Sequence, residues 1–160
     1  MSHIHEKIDF TVEVFVVHKN RVLLRLHDKY KFWLSVGGHI ELDEDPNQTA
    51  LREVMEEVGL KVELYKDSNL DLVEFKDKEK RKYKELIPPQ FLNRHNITDT
   101  HEHVSLTYFA KSKTDKLNLS KSELTDGCKW FTKEELDDPN FGIKDRIKFY
   151  AKSALEKIKD

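Results

Sequence analysis

The chain has 160 residues, 38% hydrophobic and 10% aromatic, which is enough for one buried core and too little for two, so a single domain over residues 1–160 is expected. Lys and Arg number 28 against 30 Asp and Glu, a formal net charge of −2, so there is no broad basic surface of the kind that coats nucleic acid or binds a membrane. The longest unbroken apolar run, Val14 to Val17, is far too short to span a bilayer. The single cysteine, Cys128, has no internal partner, and with no apolar segment near Met1 a reducing, cytoplasmic setting is expected.

In chain order, residues 10–17 and 22–26 are rich in β-branched and aromatic residues and read as a hairpin turned at Lys19-Asn20. Residues 32–36 read as a third strand running into Gly37-Gly38. A helix follows with Asp45 as N-cap, Pro46 at its first position, Gln48 closing a capping box and Gly59 as terminator. Ala50, Leu51, Val54 and Val58 form its apolar stripe. Residues 61–65 and 70–75 read as strands, and the charged run 76–85 as a solvated hairpin tip. Residues 90–99 read as irregular or a short helix, 104–110 as a strand and 127–131 as a weaker one. Thr132 and Glu135 form a capping box that opens a short helix ended by Asp138-Pro139. A final amphipathic helix carries Ile143, Ile147, Tyr150, Ala151, Ala154, Leu155 and Ile158. Strands mixed with a few helices indicate an α/β or α+β sandwich.

On the first helix Glu53, Glu56 and Glu57 stand at i, i+3 and i+4, so they share a face away from the apolar stripe. Taken alone such a triplet is an ordinary solvated surface. Here Gly37-Gly38 precedes the helix, Glu44 lies before its start and Arg52 adjoins Glu53. Clustered carboxylates beside a backbone carbonyl suit a hard, oxygen-preferring cation such as Mg²⁺ or Mn²⁺, and such a cation suits attack of water on a phosphorus centre.

The whole segment, Gly38-x5-Glu44-x7-Arg52-Glu53-Val54-x-Glu56-Glu57-x-Gly59-Leu60, resembles the signature box of the Nudix hydrolases, MutT-like members included. The strand containing Trp33 and the late Lys129-Trp130-Phe131 segment are also similar to the family. The resemblance implies an α/β/α sandwich around a mixed sheet and a divalent-metal-dependent hydrolase of a nucleoside diphosphate linked to another moiety. It implies metal ligation by Glu53, Glu56, Glu57 and the Gly37 carbonyl, with Glu44 and Arg52 bracing the box. The general base falls to Glu53 or to Glu102, and Arg25 and Gly38 are placed at the substrate. The favoured subtype is a (d)NTP pyrophosphatase. The alternatives are hydrolases of ADP-ribose, nucleotide sugars or dinucleoside polyphosphates, or a non-catalytic nucleotide sensor, which usually lacks box carboxylates that are all present here. Isopentenyl-diphosphate isomerases share the fold but need an upstream catalytic Cys, which this chain lacks. No nucleic-acid or membrane partner is expected, and the family's frequent dimerisation leaves a homodimer open.

Two features depart from the family pattern: Ser35-Val36 stands where Leu-Pro is common, and Asp43 where Gly often precedes the box Glu. Neither position supplies a ligand. His101 and His103 share a strand face at a spacing compatible with Zn²⁺, but no Cys or further His stands near them in sequence at ligand spacing. His39, next to Gly38, is read as structural.

Overall fold

The computed structural model describes residues 6–27, 31–68, 84–119 and 127–159. The predicted strand 70–75 and most of the charged run 76–85 lie outside the described residues. The strands are β1 (Ile8–His18), β2 (Arg21–Leu26), β3 (Trp33–Leu34), β4 (Val36–His39), β5 (Val62–Leu64), β6 (Phe91–Thr98), β7 (His101–Ser112) and β8 (Cys128–Phe131). The helices are α1 (Pro46–Val58) and α2 (Asp145–Lys157). No described helix is long and apolar enough to cross a membrane.

The strands form one mixed sheet in which β3, β2, β1, β7 and β5 are successive neighbours, with β4 also on β1, β6 also on β7 and β8 also on β2. Its centre is the parallel β1–β7 pair, in register from Ile8 opposite Glu102 to Val17 opposite Lys111. The other pairings are antiparallel. Alternation along the strands sends side chains to opposite faces. Phe15 and Val17 of β1 meet Phe109, Ile147, Tyr150, Ala151 and Ala154 on the α2 side. Val12, Val14 and Val16 meet Ala50, Val54, Val58 and Tyr108 on the α1 side. One helix therefore covers each face, which makes the expected α/β/α sandwich. A one-residue slip of β1 would exchange these two sets, so its register is fixed by burial on both sides.

Three local expectations need correction. The predicted strand 32–36 is two strands. Trp33 and Leu34 pair with β2, then the chain bends at Ser35 and Val36 to His39 pair with β1. The break occurs because β2 stays beside β1 only at Val17 and His18, leaving the stretch from Thr11 to Val14 for β4. Residues 90–99, read as irregular or helical, instead contain β6. Its apolar signal is weak because it lies at the margin of the sheet with Leu92, Arg94 and Asn96 outward, and its order comes from pairing with β7. The short helix after Thr132 is only a 3-10 turn, Glu135–Asp137. Its capping box does form, with Thr132 N–H donating to Glu135 Oε2 at 2.9 Å. The hairpin turn is as read, with Lys19 and Asn20 both at positive φ (45° and 57°).

Candidate active site

Helix α1 starts and stops where its sequence dictates. Gln48 N–H donates to Asp45 Oδ1 and Asp45 N–H to Gln48 Oε1, each at 2.9 Å, so two otherwise orphaned donors are satisfied. At the other end Gly59 takes φ 68° and its N–H closes on the Met55 carbonyl. With Ala50, Val54 and Val58 fully buried against the sheet, the helix is locked in rotation and its acidic residues are aimed. Glu53 and Glu57 do not lie opposite the buried stripe but at its border, tucked toward β4, with side chains only 14% and 12% exposed. Glu56 is splayed outward at 59%.

The two glycines of β4 allow this approach. A Cβ on Gly38 would collide with the Glu53 carboxylate, 2.6 Å from its Cδ, and a Cβ on Gly37 would run into the Val12 carbonyl of β1. Gly37 N–H donates to Glu57 Oε2 at 3.1 Å. Arg25, from β2, pairs with the other oxygen of Glu57. Gly38→Ala is therefore expected to fold, because the displaced atoms end a flexible side chain. It should lose roughly tenfold in kcat as Glu53 is pushed aside, with the melting temperature measured in parallel to show that the fold survives.

Arg52 holds the box together. Its Nε and Nη2 bind the two oxygens of Glu44 at 2.8 and 3.0 Å. Its Nη1 reaches Glu53 Oε1 at 2.8 Å and Glu56 Oε2 at 2.9 Å, and its Nη2 also donates to the His39 carbonyl at 3.2 Å. Thr49 Oγ1 adds a donor to Glu44 at 2.8 Å. These bonds, Arg52's first, hold the Glu44 carboxyl below the ordinary carboxylate range. Three of the four residues implied as ligands, Gly37, Glu53 and Glu57, meet at the α1–β4 junction, with Glu56 on the outer rim. Their charge is balanced by Arg25 and Arg52.

A small cavity of about 240 Å³ lies against Arg25, Glu57 and Gly37. It shares His27, Leu34, Ser35 and Gly37 with a larger cleft of about 810 Å³ on the α2 side of the sheet, a size ordinary for a small-molecule site. The larger cleft is floored by polar residues at alternate positions of the central strands. Thr11 and Ser105 hydroxyls lie 2.6 Å apart, and Glu13 accepts from Thr107 at 3.3 Å and from Arg146 at 2.6 Å. Lys144 and Arg146, at the start of α2, bring cations to its wall, with Lys144 Nζ 3.7 Å above the Phe32 ring and His27 stacked on that ring. Reading the sequence missed both cations. The available signal was Asp9, Thr11 and Glu13, polar at alternate positions where the continuation of the strand, Phe15 and Val17, is apolar.

Glu102 stands apart from this assembly. It is buried on β7, pairs with Lys7 at 2.8 Å and also with Arg94, and does not line either cavity. Its hydrogen bonds to Lys7 and then Arg94 hold its carboxyl below the ordinary range, a poor setting for accepting a proton. Glu102→Gln is expected to change kcat less than about threefold while making the fold less stable. Because the folded carboxyl sits low, its contribution is complete above its unfolded value, about 4.3, and is lost as pH falls through the folded one. The wild-type advantage in melting temperature should therefore be present at pH 7 and shrink on acidification below pH about 4.3.

Comparisons with known proteins identify the family and the fold. The profile of the NUDIX domain matches residues 9–152. The fold superposes with a TM-score of 0.77 on a NUDIX-family hydrolase from Clostridium perfringens, 34% identical, over 92% of this chain and 96% of that one. A MutT NUDIX hydrolase from Burkholderia pseudomallei shares the fold at a TM-score of 0.61 and 16% identity, over 96% of this chain and all of that one. A dihydroneopterin triphosphate diphosphatase from Haemophilus influenzae is 48% identical over 52 residues, which is 32% of this chain and 33% of that protein.

Proposed function

The chain belongs to the Nudix family of pyrophosphohydrolases, and from that premise we propose that it hydrolyses a nucleoside triphosphate or closely similar triphosphate to the monophosphate and pyrophosphate, with water attacking phosphorus. One observation carries the reading. Glu57 and Gly37 line a small cavity that opens past His27 into a roomier cleft carrying Phe32, Lys144 and Arg146. The site thus has one end suited to phosphates and a roomier end suited to a heterocycle. The similarity to a triphosphate diphosphatase favours a triphosphate over a nucleotide sugar.

The donor set fits a divalent cation. Glu53 and Glu57 are carboxylates with little solvent contact, pressed on a backbone that only glycine allows, and all-oxygen donors suit Mg²⁺ or Mn²⁺. Glu53, Glu57 and the Gly37 carbonyl would hold it, with Glu56 from the rim. When bound, the cation neutralises charge on the diphosphate oxygens and acidifies the attacking water. Glu53, whose carboxylate lies against Gly38 of the cleft wall, would take the proton from the attacking water, and Arg52 holds Glu53 in place. Arg25, now on Glu57, is within reach of phosphate oxygens at the same wall. Lys144, over the Phe32 ring, and Arg146 bind and orient the roomier end.

The test is analysis of the hydrolysis products over (d)NTPs, oxidised dNTPs, dihydroneopterin triphosphate, dinucleoside polyphosphates, ADP-ribose and nucleotide sugars, each with Mg²⁺ and with EDTA. Metal-dependent pyrophosphate release from triphosphates is expected. Turnover confined to ADP-ribose or nucleotide sugars would reject the triphosphate reading, and ligand-induced thermal shifts with no turnover would indicate a sensor.

A further inference from the structure

At the rim of the large cleft three strands bring together four side chains with metal-binding atoms, none of them in the box. Asp9 lies on β1, His39 ends β4, and His101 and His103 open β7. The pairing register explains the meeting. Asp9 is opposite His103 across the parallel β1–β7 ladder, and His39 is opposite Thr11, two residues along β1 from Asp9. All four side chains therefore project from one face of the sheet. In sequence only the His101/His103 pair is visible, because Asp9 and His39 join it through sheet pairing alone.

The four ligand atoms lie close enough to converge on a single ion. His101 Nε2 and His103 Nε2 face each other at 3.1 Å. Asp9 Oδ2 lies 3.5 Å from His101 Nε2 and 3.6 Å from His39 Nε2. One ligand atom from each of the four falls within 4.8 Å of the others. Ligands about 2.0–2.1 Å from a tetrahedral zinc ion are roughly 3.3 Å apart, so these spacings need only small side-chain adjustments to surround one. Among the described residues this is the one group of three or more His, Cys, Asp or Glu that converges so closely. The His39 and His101 rings each lie 5.0 Å from the His103 ring, centroid to centroid, and His95 approaches it from β6 at 5.7 Å. Three imidazoles and one carboxylate are a borderline donor set that prefers Zn²⁺ and its neighbours over Mg²⁺.

We propose that Asp9, His39, His101 and His103 form a binding site for one transition-metal ion of the zinc class, separate from the box carboxylates, which clips β1, β4 and β7 together beside the cleft. His39 and His103 also line the cleft, so the ion would stiffen the wall against which the far end of a substrate rests.

The test uses the full chain stripped with chelator and then held in saturating Mg²⁺, so that the box carboxylates are occupied. Calorimetric titration with Zn²⁺ is expected to show one equivalent bound, with a rise in melting temperature that extra Mg²⁺ does not reproduce. Co²⁺ in its place should give the intense visible bands of a four-coordinate ion. His39→Ala, at an exposed side chain, and Asp9→Asn should each weaken Zn²⁺ at least about tenfold, whereas Glu57→Gln should leave it unchanged. Absence of a stoichiometric Zn²⁺ site, retention of wild-type affinity in both His39→Ala and Asp9→Asn, or loss of the site in Glu57→Gln would each overturn the proposal. These readouts are independent of turnover, so the zinc site and the hydrolase reading stand or fall separately.

Discussion

Glu57→Gln is expected to lower kcat by at least about a hundredfold and to weaken Mg²⁺ binding, with a melting temperature within roughly 3 °C of wild type. The carboxylate sits at the one place where α1, β2 and β4 converge. One of its oxygens accepts the Gly37 N–H and the other pairs with Arg25. A glutamine preserves the shape and keeps an acceptor for that N–H, while its amide NH2 faces Arg25 and lets that side chain turn toward the cleft, so the fold is retained. What it removes is the negative charge, and with it the attraction for a cation and the counter-charge of Arg25. The loss should fall on kcat and on the Mg²⁺ concentration giving half-maximal rate more than on substrate KM, because the cleft floor and its cations are untouched. Steady-state rates across a Mg²⁺ titration, with thermal melts of the same samples, check this. Wild-type turnover at all Mg²⁺ concentrations would remove Glu57 from the ligand set.

The parts of the fold legible in the sequence are those decided by neighbours along the chain. Asp45, Pro46, Gln48 and Gly59 mark the ends of α1 through bonds spanning a few residues. The alternation in β1 and the stripe of α2 report burial directly. Features decided by partners distant in sequence were not legible. β6 has Asn93, Arg94, His95 and Asn96 in succession and becomes a strand only because β7 lies beside it. The break at Ser35 follows from where β2 leaves β1. Within the site, the box spacing named Glu44, Arg52, Glu53, Glu56 and Glu57, but the Arg25–Glu57 pair spans 32 residues. The position of Lys144 and Arg146 depends on how α2 seats against the sheet. For Glu102, adjacency to a strand suggested a loop carboxylate, whereas parity along β7 places it on the face opposite His101 and His103 and in the grip of two cations.

Arg52→Ala is expected to lower the melting temperature by roughly 5 °C and kcat by on the order of fiftyfold, a joint defect that separates bracing from chemistry. The guanidinium makes five hydrogen bonds, two to Glu44 and one each to Glu53, Glu56 and the His39 carbonyl. Removing it leaves Glu44 and Glu53 little exposed and without their main counter-charge, so the loop before α1 loosens while Glu53 loses its fixed rotamer. Arg52→Lys should fall between the two, since an ammonium restores charge but cannot span both oxygens of Glu44 and reach Glu53 at once. The acid limb gives an independent check. Glu44 owes its lowered pKa first to Arg52, so the stabilisation it carries is complete above its unfolded value of about 4.3 and disappears as pH falls through the lower folded value. The difference in melting temperature between wild type and Arg52→Ala should be widest at neutral pH and narrow steadily below that point. A rate defect with an unchanged melting temperature would show instead that Arg52 acts on the substrate rather than on the box.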